Sequence, residues 1–152
     1  MQPPIVVIAA SGEESVPFWA EVRRWLPDDA TTGIVHVIDD AASHQMELLA
    51  AHLPGHDRPQ RPRPGLREAE RHGADALVDE AVAAFGRSAE TAIIRGRPGH
   101  EIVATAADRA ADLIVVGARA ADVRVAAGPH SLGHTARFVV DHAPCPVLLI
   151  RR

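Results

Sequence analysis

Lysine and tyrosine are absent from this chain of 152 residues, and all sixteen basic residues are arginine. Without lysine, a phosphate loop of the G-x-x-x-x-G-K-[ST] kind is impossible, and so is Schiff-base chemistry on a side-chain amine. An arginine-only, alanine-rich composition is associated with high-GC bacterial genomes. Aromatic residues make up only 3% of the chain. The core therefore has to be built from Val, Ile, Leu and Ala, and the stacking platforms of single-strand nucleic-acid binders are missing. A formal net charge of -4 argues against a general nucleic-acid binder as well. No run of 18 apolar residues offers a membrane span. Met1-Gln2-Pro3-Pro4 carries no basic residue and leads straight into Ile5-Val6-Val7-Ile8, unlike a signal peptide. The single cysteine, Cys145, excludes an internal disulfide framework and fits a reducing cytoplasm.

What is present is an alternation of short apolar runs and amphipathic stretches, at a length that suits one domain over residues 1–152. The most informative part is the end. Asp112-Leu-Ile-Val-Val-Gly117 is apolar on both faces, as a strand buried between helices has to be. A glycine-containing loop follows, then a helix from about Leu132 to His142, a stop at Ala143-Pro144-Cys145-Pro146, and a strand over Val147 to Ile150.

Upstream, Ile5 to Ala10 reads as the first strand. Ser11 and Glu14 have the spacing of a capping box for a helix running to about Trp25. Gly33 to Ile38 is the second strand, closed by Asp39-Asp40, and Ser43 to His52 could form a short helix. Residues 41–65 read as a flexible loop whose Arg58-Pro-Gln-Arg-Pro-Arg-Pro-Gly65 portion proline keeps out of helix interiors and central strands. A solvated loop is the ordinary reading of that stretch, and a contact surface for an acidic partner is the alternative. Leu66 to Gly86 repeats apolar residues at helical spacing, Thr91 to Ile94 is a third strand, and Pro98 to Arg109 is a helix with proline in its first turn. Strands that alternate with helices predict an α/β fold, an open parallel five-stranded sheet with helices on both faces and right-handed crossovers. In such sheets ligands bind at the carboxyl ends of the strands, which is where the loop after Gly117 opens.

The order of elements resembles the universal stress protein family over nearly the whole chain. Ile5-Val-Val-Ile before Ser-Gly-Glu-Glu-Ser, Val35-His36-Val37-Ile38-Asp39, and Gly96-Arg97-Pro98 with Ile102-Val103 all fit the family pattern. The most specific matches are Ala111-Asp112-Leu-Ile-Val-Val-Gly117 and His142-Ala-Pro-Cys-Pro-Val147 at their observed separation. The resemblance implies a Rossmann-like sheet of order 3-2-1-4-5 and a homodimer through the last strand, Val147–Ile150. It also implies a site for ATP or another adenine nucleotide, formed by an acidic residue ending the first strand and a glycine motif after the fourth.

This chain departs from that motif. Ala10 stands at the acidic position, with Ser11 beside it. Gly117-Ala118-Arg119-Ala120 keeps the first glycine but has Ala120 in place of the second. The stretch to Gly133 is longer, and Gly133 is followed by His134, with Thr135 one position late. A Cβ where positive φ is required costs on the order of 1–3 kcal/mol, and one lost hydrogen bond about 1 kcal/mol. Together these could move a micromolar site to a millimolar one. Features that favour an anion are the helix start at Ser131 to Thr135, the accessible backbone of Gly133, the imidazole of His134 and the guanidinium of Arg119. The family implies that Val37 and Ile38 flank the base and that Gly117 lets the ribose approach.

The expectation is a non-catalytic stress-response or regulatory protein with weakened or altered adenine-nucleotide binding. A sensor with weak nucleotide hydrolysis is one alternative, although Ala10, the lack of an evident Mg²⁺ ligand and the absence of lysine count against it. A pure interaction module using the dimer edge and the Arg/Pro loop is another. His52 with His56 and His130 with His134 are spaced four apart, but neither pair has the adjacent Glu of a zinc helix, and no metal site is expected. Cys145 reads as a packing residue, and His36, between two valines, as a satisfied core histidine.

Overall fold

The computed structural model describes residues 2–40, 64–118 and 132–151. Along the chain these form β1 (Ile5–Ala9), α1 (Val16–Trp25), β2 (Thr31–Asp39), α2 (Pro64–Phe85), β3 (Glu90–Gly96), α3 (Pro98–Asp108), β4 (Leu113–Ala118), α4 (His134–His142) and β5 (Val147–Arg151). The strands form one sheet of order β3-β2-β1-β4-β5, with every pairing parallel. The α/β architecture expected from the alternation is the one observed.

The side-chain period of two sorts β1 into both layers. Val6 and Ile8 face α1 and α2, where they pack with Phe18, Trp19, Val22 and Phe85. Val7 and Ala9 face α3 and α4, where Ile102, Ala106, Ala136 and Val139 meet Val35, Ile114 and Val116. The scarce aromatics are concentrated in the first layer. Phe18 meets Trp19 edge to face with centroids 5.2 Å apart, and Trp19 lies 6.2 Å from Phe85. Pairs of this kind contribute about 0.5–1.5 kcal/mol beyond their buried area. The amino ends of β1 and β4 are tied by backbone and side chain together: Asp112 N–H donates to Ile5 O at 2.8 Å, and Ile5 N–H donates to the Asp112 carboxylate at 2.8 Å.

Several element ends, those of β2 and β3 among them, differ from the sequence reading by one or two residues, and two helix starts differ for a physical reason. Helix α1 starts at Val16, with Ser15 at its N-cap and Pro17 in the first turn, so Ser11-x-x-Glu14 is a turn ahead of the helix and not its cap. Helix α2 begins at Pro64, inside the stretch read as a loop, because proline is tolerated in a first turn, where its missing N–H leaves nothing unpaired. Residues 41–63, including the Ser43–His52 helix and most of the Arg/Pro stretch, lie outside the described residues. Among the described residues no helix is long and apolar enough to cross a membrane.

Candidate ligand-binding cleft

The cleft arises because the central strand stops early. β1 ends at Ala9, paired with Val35, and leaves the sheet after a final bond from Ala10 N–H to Val35 O at 2.9 Å. β2 continues to Asp39 alongside β3, and β4 continues to Ala118 alongside β5. The space left between them is a cavity of about 150 Å³ at the switch point of the sheet. Ala9, Ala10, Val35, Val37, Val116 and Gly117 contribute from the strands, Pro98 and Ile102 from α3, Thr135 from α4, and Ser11, Glu14 and His36 complete the lining. A cavity of that volume holds roughly one aromatic ring. A second groove, about 210 Å³, shares Pro98 and Thr135 with it and adds Asp39, Arg97, Gly99, His100, His134 and Phe138.

The polar wall is built locally. The half-buried Glu14 turns back on its own loop. Its Oε1 accepts from Ser11 N–H at 2.9 Å and from the Ser11 hydroxyl at 2.6 Å, and its Oε2 accepts from Gly12 N–H at 2.9 Å. Gly12 allows this turn by adopting φ 90°. The His36 ring is also half-buried, and its Nδ1 lies 2.8 Å from the Ala10 carbonyl oxygen. A carbonyl can only accept, so Nδ1 carries a proton, and in the Nδ1–H tautomer Nε2 is an acceptor. His36 is therefore satisfied, as expected, and it also lines the cleft.

On the far side Gly133 caps α4 with φ 84° and ψ 157°, a conformation almost confined to glycine. Phe138, one turn into α4, stacks between His100 and His142, at centroid distances of 4.2 and 4.1 Å.

Of the residues singled out in the sequence, Ala10, Ser11, Val37, Gly117 and Thr135 meet in the cavity. His134 lies in the adjoining groove, and Gly133 sets the start of α4. Ile38 lines neither space, because it projects to the opposite face of β2 from Val37. Arg119 and Ala120 lie outside the described residues, as do His52, His56 and His130. Among the described residues no three His, Cys, Asp or Glu side chains gather where a metal could bind. Sequence reasoning missed the placement of Glu14 in the cleft, along with Arg97, His100 and Phe138 in the groove beside it. The available signal was Pro17: a proline in the first turn moves the helix start past Glu14 and frees its carboxylate for another use. Cys145 stays a packing residue. Its thiol pKa is raised above the ordinary value by burial and by the Asp112 carboxylate, against a hydrogen bond at the Ile114 backbone.

The sequence profile that matches this chain, over residues 22–151, is that of the universal stress protein family. The chain belongs to that family. A universal stress protein from Thermus aquaticus is 42% identical over 79 residues, covering 51% of this chain and 56% of that protein. The matched segment thus spans just over half the length of that curated relative. Two solved universal stress proteins share the fold at low identity. The Archaeoglobus fulgidus protein, in complex with dAMP, superposes with a TM-score of 0.56 at 22% identity over 98% of each chain. The Arabidopsis thaliana protein, with AMP bound, does so with a TM-score of 0.60 at 19% identity, covering 99% of this chain and 92% of that one.

Proposed function

We propose that this universal stress protein is a non-catalytic stress-response protein that takes an adenine nucleotide, weakly, into the cleft at the end of β1. The observation that carries the reading is the cavity itself. It is mostly apolar, sized for a ring, and bordered by a few polar groups, Ser11, Glu14, His36 and Thr135, which is the usual composition of a small-molecule site. The complexes of related proteins with dAMP and AMP support adenine as the ring. In this reading Val37 packs on the base and Gly117 admits the ribose. Arg119, Ala120, Gly133, His134 and Thr135 form the phosphate side, and Ala10 and Ser11 close the base of the cleft. In this reading binding is weak because Ala10 brings no side-chain acceptor to the end of β1. A homodimer through Val147–Ile150 belongs to the same proposal. β5 is an edge strand of the sheet, and an uncovered edge is a pairing template.

The test is calorimetric titration with ATP, AMP and cyclic AMP, after as-purified protein has been checked for bound nucleotide by mass spectrometry. Saturable binding that weakens in Arg119→Ala supports the reading. Folded protein that gives no signal at millimolar nucleotide overturns it.

A further inference from the structure

We infer that Glu14 is the sugar-recognising residue of the cleft, and that the cleft selects a ligand edge carrying neutral hydroxyl donors, the vicinal diol of a ribonucleoside. This rests on the adenine-nucleotide reading above and adds to it the residue that chooses the sugar.

Three observations converge. First, Glu14 lines the cavity while three hydrogen bonds from Ser11 and Gly12 hold its carboxylate in place. A carboxylate offers about four acceptor sites. Oε1 uses two and Oε2 one, so the carboxylate has acceptor capacity left on Oε2. Because the turn already fixes the side chain, a ligand hydroxyl meets a pre-organised acceptor with little further ordering cost.

Second, His36 lines the same cavity. Its Nδ1 donates to the Ala10 carbonyl, and among the described residues Nε2, an acceptor in that tautomer, has no protein partner. Third, the Ser11 hydroxyl donates its proton to Glu14 and so has none to give a ligand. This wall of the cleft therefore presents negative charge and lone pairs. A phosphate placed against it would face like charge, whereas a sugar hydroxyl would find an acceptor on Glu14. The sugar edge belongs at Glu14, and any phosphate points away from it.

Uncharged ligands isolate this contact from the phosphate side. Adenosine and 2′,3′-dideoxyadenosine are titrated into wild-type protein, Glu14→Gln and Ser11→Ala, with thermal unfolding as a check that each variant is folded. Wild type should prefer adenosine by on the order of ten- to a hundredfold, the range for a hydrogen bond to a charged group. Glu14→Gln should remove most of that preference while leaving the dideoxy affinity unchanged. Ser11→Ala, which removes one of the bonds that fix the turn but keeps the charge, should lower the preference by less than Glu14→Gln does. A preference unchanged in Glu14→Gln overturns the assignment, and so does an equal loss for both ligands, which would mark a purely structural role. Wild type that binds AMP but does not distinguish the two nucleosides overturns the inference and leaves the nucleotide reading standing. No binding of any adenine compound overturns both.

Discussion

Gly99, at the start of α3, permits a close helix contact, and the cost of substituting it should depend on the side chain at Phe138. A Cβ added at Gly99 would lie 2.8 Å from Phe138 Cδ1 and 3.0 Å from both Cβ and Cγ of the same residue. The Phe138 Cβ moves only with the α4 backbone, and the ring is held between His100 and His142. Relief therefore requires α3 and α4 to separate or the stack to break. Overpacking of this kind costs about 1–3 kcal/mol. Against it, replacing glycine by alanine restricts the unfolded chain and returns about 0.4–1 kcal/mol. The net expectation for Gly99→Ala is a loss of about 1 kcal/mol, seen as a fall of roughly 2–4 °C in Tm for a chain of this size. In a Phe138→Ala background the Cδ1 and Cγ contacts are gone and only the 3.0 Å Cβ contact remains, so the same substitution should cost clearly less than in the wild type, its unfolded-state gain of about 0.4–1 kcal/mol now opposed by one contact. Urea unfolding followed by circular dichroism on wild type, both single variants and the double variant measures the coupling directly. Equal effects of Gly99→Ala in the two backgrounds would refute the contact as the source of the cost.

Gly133→Ala should destabilise by about 1–3 kcal/mol, because alanine is strained at the observed φ and ψ; an unchanged urea midpoint would show that α4 can start differently. Cys145 should be alkylated more slowly in the folded protein than in the urea-unfolded chain at mildly alkaline pH, since burial and Asp112 disfavour the thiolate. Its raised pKa means the folded state holds the proton to higher pH than the unfolded chain. Its contribution to stability is then intact below the unfolded thiol's pKa and lost as pH rises through the folded one; equal alkylation rates in the two states would contradict this. The chain should run as a dimer in light scattering at micromolar concentration and as a monomer when Leu149→Arg places charge on β5; a wild-type monomer would remove β5 as the interface.

The sheet order was legible because β1 and β4 are apolar on both faces, which only a strand covered on both sides tolerates, and because the family resemblance supplied the order. Helix starts were less so. Ser11 and Glu14 have the spacing of a cap, and only the rule that proline sits in a first turn moves the start to Val16. The cleft was half legible. Val37 and Gly117 follow from strand ends, but Ile38 was placed there without regard to the strand's alternation, which turns it to the other face. Glu14 could not be assigned from spacing, because its position depends on a turn folding back on itself. Phe138 and His142, four apart on α4, could have been paired in advance, but His100 comes from another helix and no local pattern announces it.

The cleft is made by an omission, since β1 ends while its neighbours continue. The largest fully buried side chains, among them Phe18, Phe85, Ile8, Ile34 and Ile114, lie away from it, and of that set only Val35 also lines the cleft. Substitutions in the Ser11–Glu14 turn or at the start of α4 can thus alter what is bound while leaving nearly all of the apolar packing intact. In evolutionary terms the fold separates durability from preference. Lineages can drift in ligand choice, or abandon a ligand altogether, without first crossing a valley of unfolded intermediates.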